Sequence, residues 1–286
     1  MARLSSFVRM VIGLAYLALL VAAFMAVCVV LLPSRTARIK VCNLFGHVTG
    51  RILLWLCGAR VTENVPALMK AHKPALYLSN HSSILDIFIA IWSCPVGTCG
   101  VAKKEIVKYP FFGQLYWISG HLRLDRSNHQ SAVTALNETA EMVRRNKLGV
   151  WMWPEGTRSK DGRLLPLKRG FAHLAMVTRL PIVPVVVKGA HKGWEKNTLL
   201  IQPTNVEISV LDPISTEDWT AENLDEKVAM VQRIFNDAMP EDQKMIPLSD
   251  EKQARRAKAM ARLSRLSAAA SQPPAASPAE PTTVTA

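Results

Sequence analysis

The spacing of apolar residues changes along the chain, and its first feature is an unbroken apolar run. Residues 10–32 form 23 consecutive positions without a charge. As a helix this run is about 34 Å long, which is enough to cross a bilayer. A cleavable signal peptide is the alternative, but its apolar region usually covers only about 7 to 15 residues. The run therefore predicts an N-terminal membrane anchor.

A second apolar segment, residues 41–57, is interrupted by polar residues. Asn43, His47 and Arg51 stand among its leucines and aromatic residues, so the segment is too short and too polar to span. This pattern predicts an interfacial or re-entrant helix, and the alternative is a buried helix of the globular domain. We expect residues 1–60 to form a membrane-seated helical segment.

From residue 61 to residue 250, short apolar runs alternate with segments of helical periodicity. This alternation predicts one α/β domain with a mixed, mostly parallel sheet flanked by helices. The predicted helices are one that begins after a capping box at 127–130, with Val133, Leu136, Ala140 and Val143 on one face, and those at 170–179 and 221–239. The predicted strands are 75–78, 96–102, 121–124, 149–153, 182–187 and 206–211.

Residues 251–286 differ from the rest in composition. The pattern predicts a basic helix over 251–265 and a disordered tail, because residues 267–286 are almost entirely Ala, Ser, Pro and Thr.

The positive charge lies mainly at the two ends of the chain. Of the net charge of +13, residues 1–60 carry seven basic and no acidic side chains, and residues 251–286 carry six basic and two acidic ones. Nucleic-acid binding would instead predict a basic stripe on the folded body, so we expect an anionic lipid surface and no nucleic acid. The five cysteines lack zinc-like spacing and indicate buried thiols in a reducing compartment, with no metal site.

The first candidate for chemistry is His81 with Asp86. Residues five apart on one helix point about 140° away from each other, so a turn must intervene if the two side chains are to meet. Ser82 or Ser83 is a suitable N-cap, which would place Asp86 in the first helical turn, within reach of one imidazole nitrogen. The other nitrogen would then be free to act as a general base. The alternative is a surface histidine, with an aspartate favoured by the helix dipole.

Three further motifs accompany this pair, at 120–126, 155–159 and 181–185. In this order and at these separations, the four motifs resemble those of the glycerolipid acyltransferase family over residues 76–188. Segments 101–105 and 109–117 resemble its bacterial members. The resemblance implies a groove between sheet and membrane, and transfer of a fatty acyl group from an acyl thioester to the sn-2 hydroxyl of 1-acyl-sn-glycerol 3-phosphate, giving phosphatidic acid.

The resemblance also implies roles for individual residues. His81 would be the general base and Asp86 its support, with direct attack by the acceptor hydroxyl and no acyl-serine. The residues implied to bind the acceptor are Arg126 and Arg158, which match positions credited with its phosphate, the basic pair Lys103 and Lys104, Glu155 for the glycerol, Gly156 and Thr157. Each cation has a solvated side chain as its alternative, and Glu155 has a structural ion pair. Arg123 departs from the family pattern, because an aromatic or aliphatic residue is usual there.

No cofactor is expected, and the donor would be acyl-coenzyme A or acyl-acyl carrier protein. The expected location is the inner (cytoplasmic) membrane, with the site facing the cytoplasm. A lyso-ornithine lipid or a lysophospholipid is the alternative acceptor. A serine hydrolase would need a Gly-x-Ser-x-Gly elbow, which the sequence lacks. A non-catalytic lipid binder would leave His81 and Asp86 without a role.

Overall fold

A mixed sheet forms the frame of the described part of the molecule. The computed structural model describes residues 2–63, 74–108, 110, 112–124 and 129–246. Within these residues the order of seven strands is β1-β7-β6-β2-β5-β3-β4, and only β6 and β7 are antiparallel neighbours. The strands are β1 Ala59–Glu63, β2 Leu76–Ser79, β3 Thr98–Lys103, β4 Leu122–Leu124, β5 Gly149–Met152, β6 Ile182–Lys188 and β7 Thr204–Val210. The predicted fold class is confirmed.

Helices cover both faces of this sheet. They are α1 Ala2–Val30, α2 Arg35–Leu56, α3 Leu85–Ser93, α4 Phe112–Ile118, α5 His129–Asn146, α6 Gly170–Thr178, α7 Ala190–Gly193 and α8 Leu224–Ala238, with 3₁₀ turns at Lys104–Lys108 and Glu241–Gln243. Alternate residues of a strand point to opposite faces. Leu76 and Leu78 therefore join the core under α6 and α8, whereas Tyr77 joins the core under α2 and α3. Burial on both faces explains the continuous apolar run of β2.

Most predicted elements are present, and the differences occur at their ends. β3 begins at Thr98, two residues later than predicted, because a turn with Gly97 at φ +92° precedes it. α8 begins at Leu224, because Thr220 and Asn223 bond to each other and close a turn before it. β1 was not predicted. Residues 127 and 128 of the predicted capping box lie outside the described residues.

The first two helices pack into the same compact unit as the sheet. α1 contains the segment Phe7–Val30, which is long and apolar enough to cross a membrane, with a mean hydropathy of 2.6. α2 begins at Arg35, six residues earlier than predicted, where Ser34 Oγ accepts a hydrogen bond from Ala37 N. Residues 1–245 form one unit and residues 246–286 a second. The predicted basic helix and tail at 251–286 lie outside the described residues.

α2 presents different chemistry on its two sides. One face is buried against α3 and includes Asn43 and Leu54, whereas Val48 and Trp55, which is 75% exposed, lie on the other. The interpretation of a buried helix thus describes one face, and the other face is exposed and apolar. Contact of the exposed face with a membrane stays a prediction.

Gly46 and Gly50 allow α2 to approach α3 closely. A Cβ added at Gly50 would lie 2.6 Å from the carbonyl oxygen of Phe88 and 2.8 Å from Trp92 Cβ. These distances are shorter than real contacts, so α2 and α3 would have to move apart.

We therefore expect Gly50→Ala to destabilise the protein by about 1 to 3 kcal/mol, the usual cost of overpacking. The measurement is the thermal unfolding midpoint in detergent. Gly13→Ala is the matched control, because a Cβ there meets nothing within 4 Å. Equal midpoints for the two variants would contradict the close packing of α2 on α3.

Candidate active site

The predicted site residues gather where two neighbouring parallel strands end. His81 follows β2 by two residues, and Glu155 follows β5 by three. β2 pairs with β5 in parallel, so their carboxyl ends meet at one edge of the sheet. Such edges are the usual binding positions of α/β proteins.

A tight turn brings His81 and Asp86 together, as predicted. His81 Nδ1 lies 3.0 Å from Asp86 Oδ2, and Asp86 is the second residue of α3. The predicted N-cap was wrong, because Ile84 occupies that position and its own side chain makes no capping hydrogen bond. Ser83 Oγ nevertheless accepts a hydrogen bond from Leu85 N, the first residue of the helix, at 3.2 Å. Asp86 Oδ2 accepts the N–H groups of Ser82, at 2.6 Å, and Ser83, at 2.8 Å.

The imidazole ring of His81 is held in one orientation. The Asp86 side chain is 0% exposed and that of His81 is 14% exposed. Because a carboxylate can only accept, His81 Nδ1 carries the proton of their hydrogen bond. Trp153 stacks on the imidazole with ring centroids 4.6 Å apart. Nε2 has no hydrogen bond to any described residue, so this nitrogen is left to act on a ligand.

The backbone of His81 is fixed by the loop that follows β5. His81 N donates to Glu155 Oε1 at 2.9 Å, and Ser159 N donates to His81 O at 2.8 Å. The second oxygen of Glu155 accepts from Leu165 N at 3.4 Å. Glu155 is only 2% exposed. Its two hydrogen bonds join the loop of His81 to the loop of Leu165. Within the described chain it forms no ion pair with an arginine. Its predicted contact with glycerol stays a prediction.

Burial raises the pKa of Glu155 well above its ordinary value. Its hydrogen bond from His81 N opposes this shift, and the negative charge of Asp86 adds to it. A buried carboxyl beside another acid favours the neutral form.

The described cations lie on several segments around the two loops. Arg158 Nη1 is buried and has no hydrogen-bond partner within the described residues, which leaves a donor for an anion. Lys103 is the last residue of β3, whereas Lys104 begins the 3₁₀ turn. Thr157 is exposed. Arg126 lies outside the described residues, so its predicted role is untested.

Gly156 lets the loop turn between Glu155 and Arg158. Its φ of +73° belongs to the left-handed region that favours glycine. The turn allows Glu155 to point inward while Thr157 stays exposed.

Two residues at the site were not identified from the sequence. Trp153 lies at the end of a predicted strand, and nothing in that pattern indicated that its ring stacks on an imidazole. Lys196 Nζ donates to Arg158 O at 2.7 Å and to Thr157 Oγ1 at 3.3 Å. Lys196 is 38 residues from Arg158 and belongs to no motif, so only the fold reveals this contact.

Metal ligation has no support in the described part of the chain. No group of three or more His, Cys, Asp or Glu side chains there could hold a metal ion. All five cysteines are free.

Comparison with known proteins identifies similar sequences and a similar fold. The sequence model of the family described as Acyltransferase matches residues 59–188. The 1-acyl-sn-glycerol-3-phosphate acyltransferase of Cocos nucifera is 46% identical over 215 residues, covering 75% of this chain and 69% of the relative. The Escherichia coli protein of that name is 33% identical over 197 residues, covering 69% of this chain and 79% of the relative.

A solved structure shares the fold. The crystal structure of the 1-acyl-sn-glycerophosphate (LPA) acyltransferase PlsC from Thermotoga maritima matches with a TM-score of 0.67 and 22% identity, covering 80% of this chain and 92% of that one.

We expect His81→Ala to lower the turnover number, kcat, about 10²- to 10⁴-fold, which is the usual contribution of a general base. Asp86→Asn should also be severe, because it removes the charge that supports the protonated ring. Turnover of the purified variants is the measurement. Asp225→Asn, which removes a carboxylate that is 71% exposed and paired with Arg169, is the control. Near-normal turnover of His81→Ala would refute the assignment.

We also expect Glu155→Gln to change the dependence of stability on pH. Because the pKa of Glu155 is raised in the fold, the folded state holds a proton that the unfolded chain releases at lower pH. This group therefore costs stability as pH rises above the ordinary carboxyl range. Glutamine keeps an acceptor for His81 N without this titration. Unfolding free energies measured against pH should diverge, with the wild type losing more as pH rises. Parallel profiles would contradict the raised pKa.

Proposed function

The chain belongs to the acyltransferase family, and we propose that it transfers a fatty acyl group from an acyl thioester to the sn-2 hydroxyl of 1-acyl-sn-glycerol 3-phosphate. The product would be phosphatidic acid, made for phospholipid biosynthesis. The names of the Cocos nucifera and Escherichia coli relatives support this substrate. The observation that carries the proposal is a histidine and aspartate pair whose backbone bonds to a second loop, which carries a buried arginine nitrogen without a hydrogen-bond partner among the described residues.

His81 serves as the general base in the proposed reaction. Its Nε2 removes the proton of the acceptor hydroxyl, and the oxygen attacks the thioester carbonyl carbon. Asp86 stabilises the imidazolium that forms. When the tetrahedral intermediate collapses, the carbon–sulfur bond breaks, and the imidazolium returns its proton to the leaving thiolate. Direct attack is supported because, within the described chain, no serine hydroxyl hydrogen-bonds to His81.

Arg158 binds the acceptor phosphate in this proposal. A guanidinium forms paired hydrogen bonds with phosphate oxygens, and Arg158 Nη1 has a donor that no described residue uses. Arg126 is proposed as its partner from the sequence motif alone. Lys103 is proposed to contribute because its positive charge acts on Lys196, next to Arg158, and Lys104 is proposed from the sequence motif alone. Glu155 positions the backbone of His81, and its contact with the acceptor glycerol is proposed from the sequence motif alone.

The acyl chain is proposed to occupy an apolar cavity between α2, α3 and β3. The cavity has a volume of about 130 Å³, so it is proposed to hold only part of the chain, because complete ligand sites usually measure roughly 300 to 1,000 Å³. Its lining includes Trp153, which stacks on His81, and also Phe45 and Leu17 from the first two helices. A chain held there would begin at the proposed base and extend toward the apolar helices. Each buried methylene contributes about 0.8 kcal/mol.

We place the enzyme on the inner (cytoplasmic) membrane, with its site facing the cytoplasm. The apolar α1 and the exposed Val48 and Trp55 of α2 support a membrane-seated protein. The basic ends of the chain suit an anionic lipid surface. The donor is acyl-coenzyme A or acyl-acyl carrier protein, both of which supply the thioester.

The assignment to the bacterial type rests on segments 101–105 and 109–117. Relatives from Escherichia coli and Haemophilus influenzae are 33% and 32% identical, whereas plant relatives are 42% to 46% identical. Overall identity therefore does not favour the bacterial type.

A lyso-ornithine lipid or a lysophospholipid is the alternative acceptor, since Arg123 adds an exposed charge where the family usually has none.

Purified protein incubated with labelled acyl donor and a panel of lysolipids tests the proposed activity. We expect phosphatidate as the main labelled product, with either acyl-coenzyme A or acyl-acyl carrier protein. Acylation of lyso-ornithine lipid or of a lysophospholipid in preference to lysophosphatidate would refute the acceptor. Release of free fatty acid without a lipid product would favour a hydrolase.

Truncation of Arg158 should discriminate between acceptors. Each charge-assisted hydrogen bond contributes about 1.5 to 3 kcal/mol, so Arg158→Ala should lower kcat/KM for lysophosphatidate by roughly one to three powers of ten. Arg158→Lys should restore only part of this loss. Monoacylglycerol should be a poor acceptor for the wild type and scarcely poorer for the variant. Equal losses with both acceptors would mean that Arg158 stabilises the fold.

A further inference from the structure

The loop after α7 is joined to both loops of the proposed site. Ser83, two residues after His81, donates a hydrogen bond from its Oγ to Trp194 O at 2.9 Å. Two residues later, Lys196 Nζ donates to Arg158 O at 2.7 Å. The neighbouring peptide nitrogen, Ser159 N, donates to His81 O. One peptide unit therefore separates the Lys196 ammonium from the backbone of the proposed base.

The Lys196 ammonium has more donors than the loop uses. An ammonium group has three N–H donors, and the described chain accepts two of them, at Arg158 O and at Thr157 Oγ1. One donor is therefore left for a ligand. Lys196 is partly exposed, so a ligand can reach it.

Positive charge accumulates around Lys196. Partial burial and the charges of three neighbouring cations lower the pKa of Lys196 from its ordinary value. The three cations are Arg158, Lys160 and Lys103. In the described part of the chain, no ion pair to an acidic side chain involves any of these four groups. Four like charges that form no ion pair with an acidic side chain of the described chain favour a ligand with more than one negative charge.

We propose that Lys196 is a further phosphate-binding residue of the active site, acting together with Arg158. The unpartnered Arg158 Nη1 supplies the second, independent indication of an anion in this place. The phosphate belongs either to the lysolipid acceptor or to the thioester donor. The inference rests on the proposed function for its choice of substrates, whereas phosphate binding itself can be measured separately.

Binding of glycerol 3-phosphate, measured by calorimetry on the full chain in detergent, tests the phosphate site directly. We expect Lys196→Gln to weaken binding about ten- to a hundredfold, the effect of one charge-assisted hydrogen bond. Lys196→Arg should recover most of the affinity, because it keeps the charge. Lys192→Gln is the matched control, since Lys192 is 63% exposed and pairs with Asp242. Unchanged affinity in Lys196→Gln, together with an unchanged KM for both phosphate-bearing substrates, would overturn the proposal.

Steady-state kinetics of the same variants identify the source of the phosphate. A rise in KM for lysophosphatidate, but not for monoacylglycerol, assigns it to the acceptor. A rise in KM for acyl-coenzyme A, but not for the acyl thioester of N-acetylcysteamine, assigns it to the donor. Both results support phosphate binding. Equal losses with the phosphate-free substrates, without recovery in Lys196→Arg, would overturn it in favour of a structural role.

The two proposals fail separately. If the wild type binds glycerol 3-phosphate through Lys196 but makes no phosphatidate, the proposed function is wrong and the phosphate site stands. If phosphatidate forms and Lys196→Gln behaves like Lys192→Gln in binding and in kinetics, the site is wrong and the function stands.

Discussion

One carboxylate oxygen organises the proposed catalytic turn. Asp86 Oδ2 accepts hydrogen bonds from the imidazole of His81 and from the backbone of Ser82 and Ser83. A buried carboxylate is stable only when donors compensate for its lost hydration. The three donors thus stabilise the charge, and the charge in turn fixes the path of the chain between β2 and α3. The geometry of the turn and the support of the base have the same origin.

The second loop depends on this turn, because it bonds to the backbone of His81. Glu155 accepts from His81 N, and Ser159 donates to His81 O. Arg158 lies between these two residues in the sequence, so these contacts hold its loop against the backbone of the proposed base. The parallel pairing of β2 with β5 makes this possible, since it brings both loops to one edge of the sheet. The proposed base and the loop of the proposed anion-binding residue Arg158 are therefore positioned by one network of hydrogen bonds to the backbone.

Sequence reasoning succeeded where the signal is local. The apolar run before His81 predicted β2, and the spacing of His81 and Asp86 required the turn that the structure contains. The edge strand β1 was missed because its short segment has no continuous apolar run, and its partner β7 lies about 145 residues later.

The site was harder to predict where side chains contact residues distant in sequence. The inward orientation of Glu155 depends on Leu165 N and His81 N, and Lys196 meets Arg158 only through the fold. Motif resemblance selected Glu155 and Arg158 as functional, but it could not distinguish a residue that holds the backbone from one that contacts substrate. That distinction requires the hydrogen-bond partners.

The tautomer of His81 is the most direct test of the central claim, that Asp86 fixes this ring for proton transfer at Nε2. Nitrogen-15 NMR of protein labelled on its histidine rings identifies the protonated nitrogen of the neutral ring, and the His81→Ala spectrum assigns the signal among the seven histidines. The account predicts a proton on Nδ1 and an unprotonated Nε2. A neutral His81 with its proton on Nε2 would contradict the account, because that nitrogen could not then accept a proton from the acceptor hydroxyl.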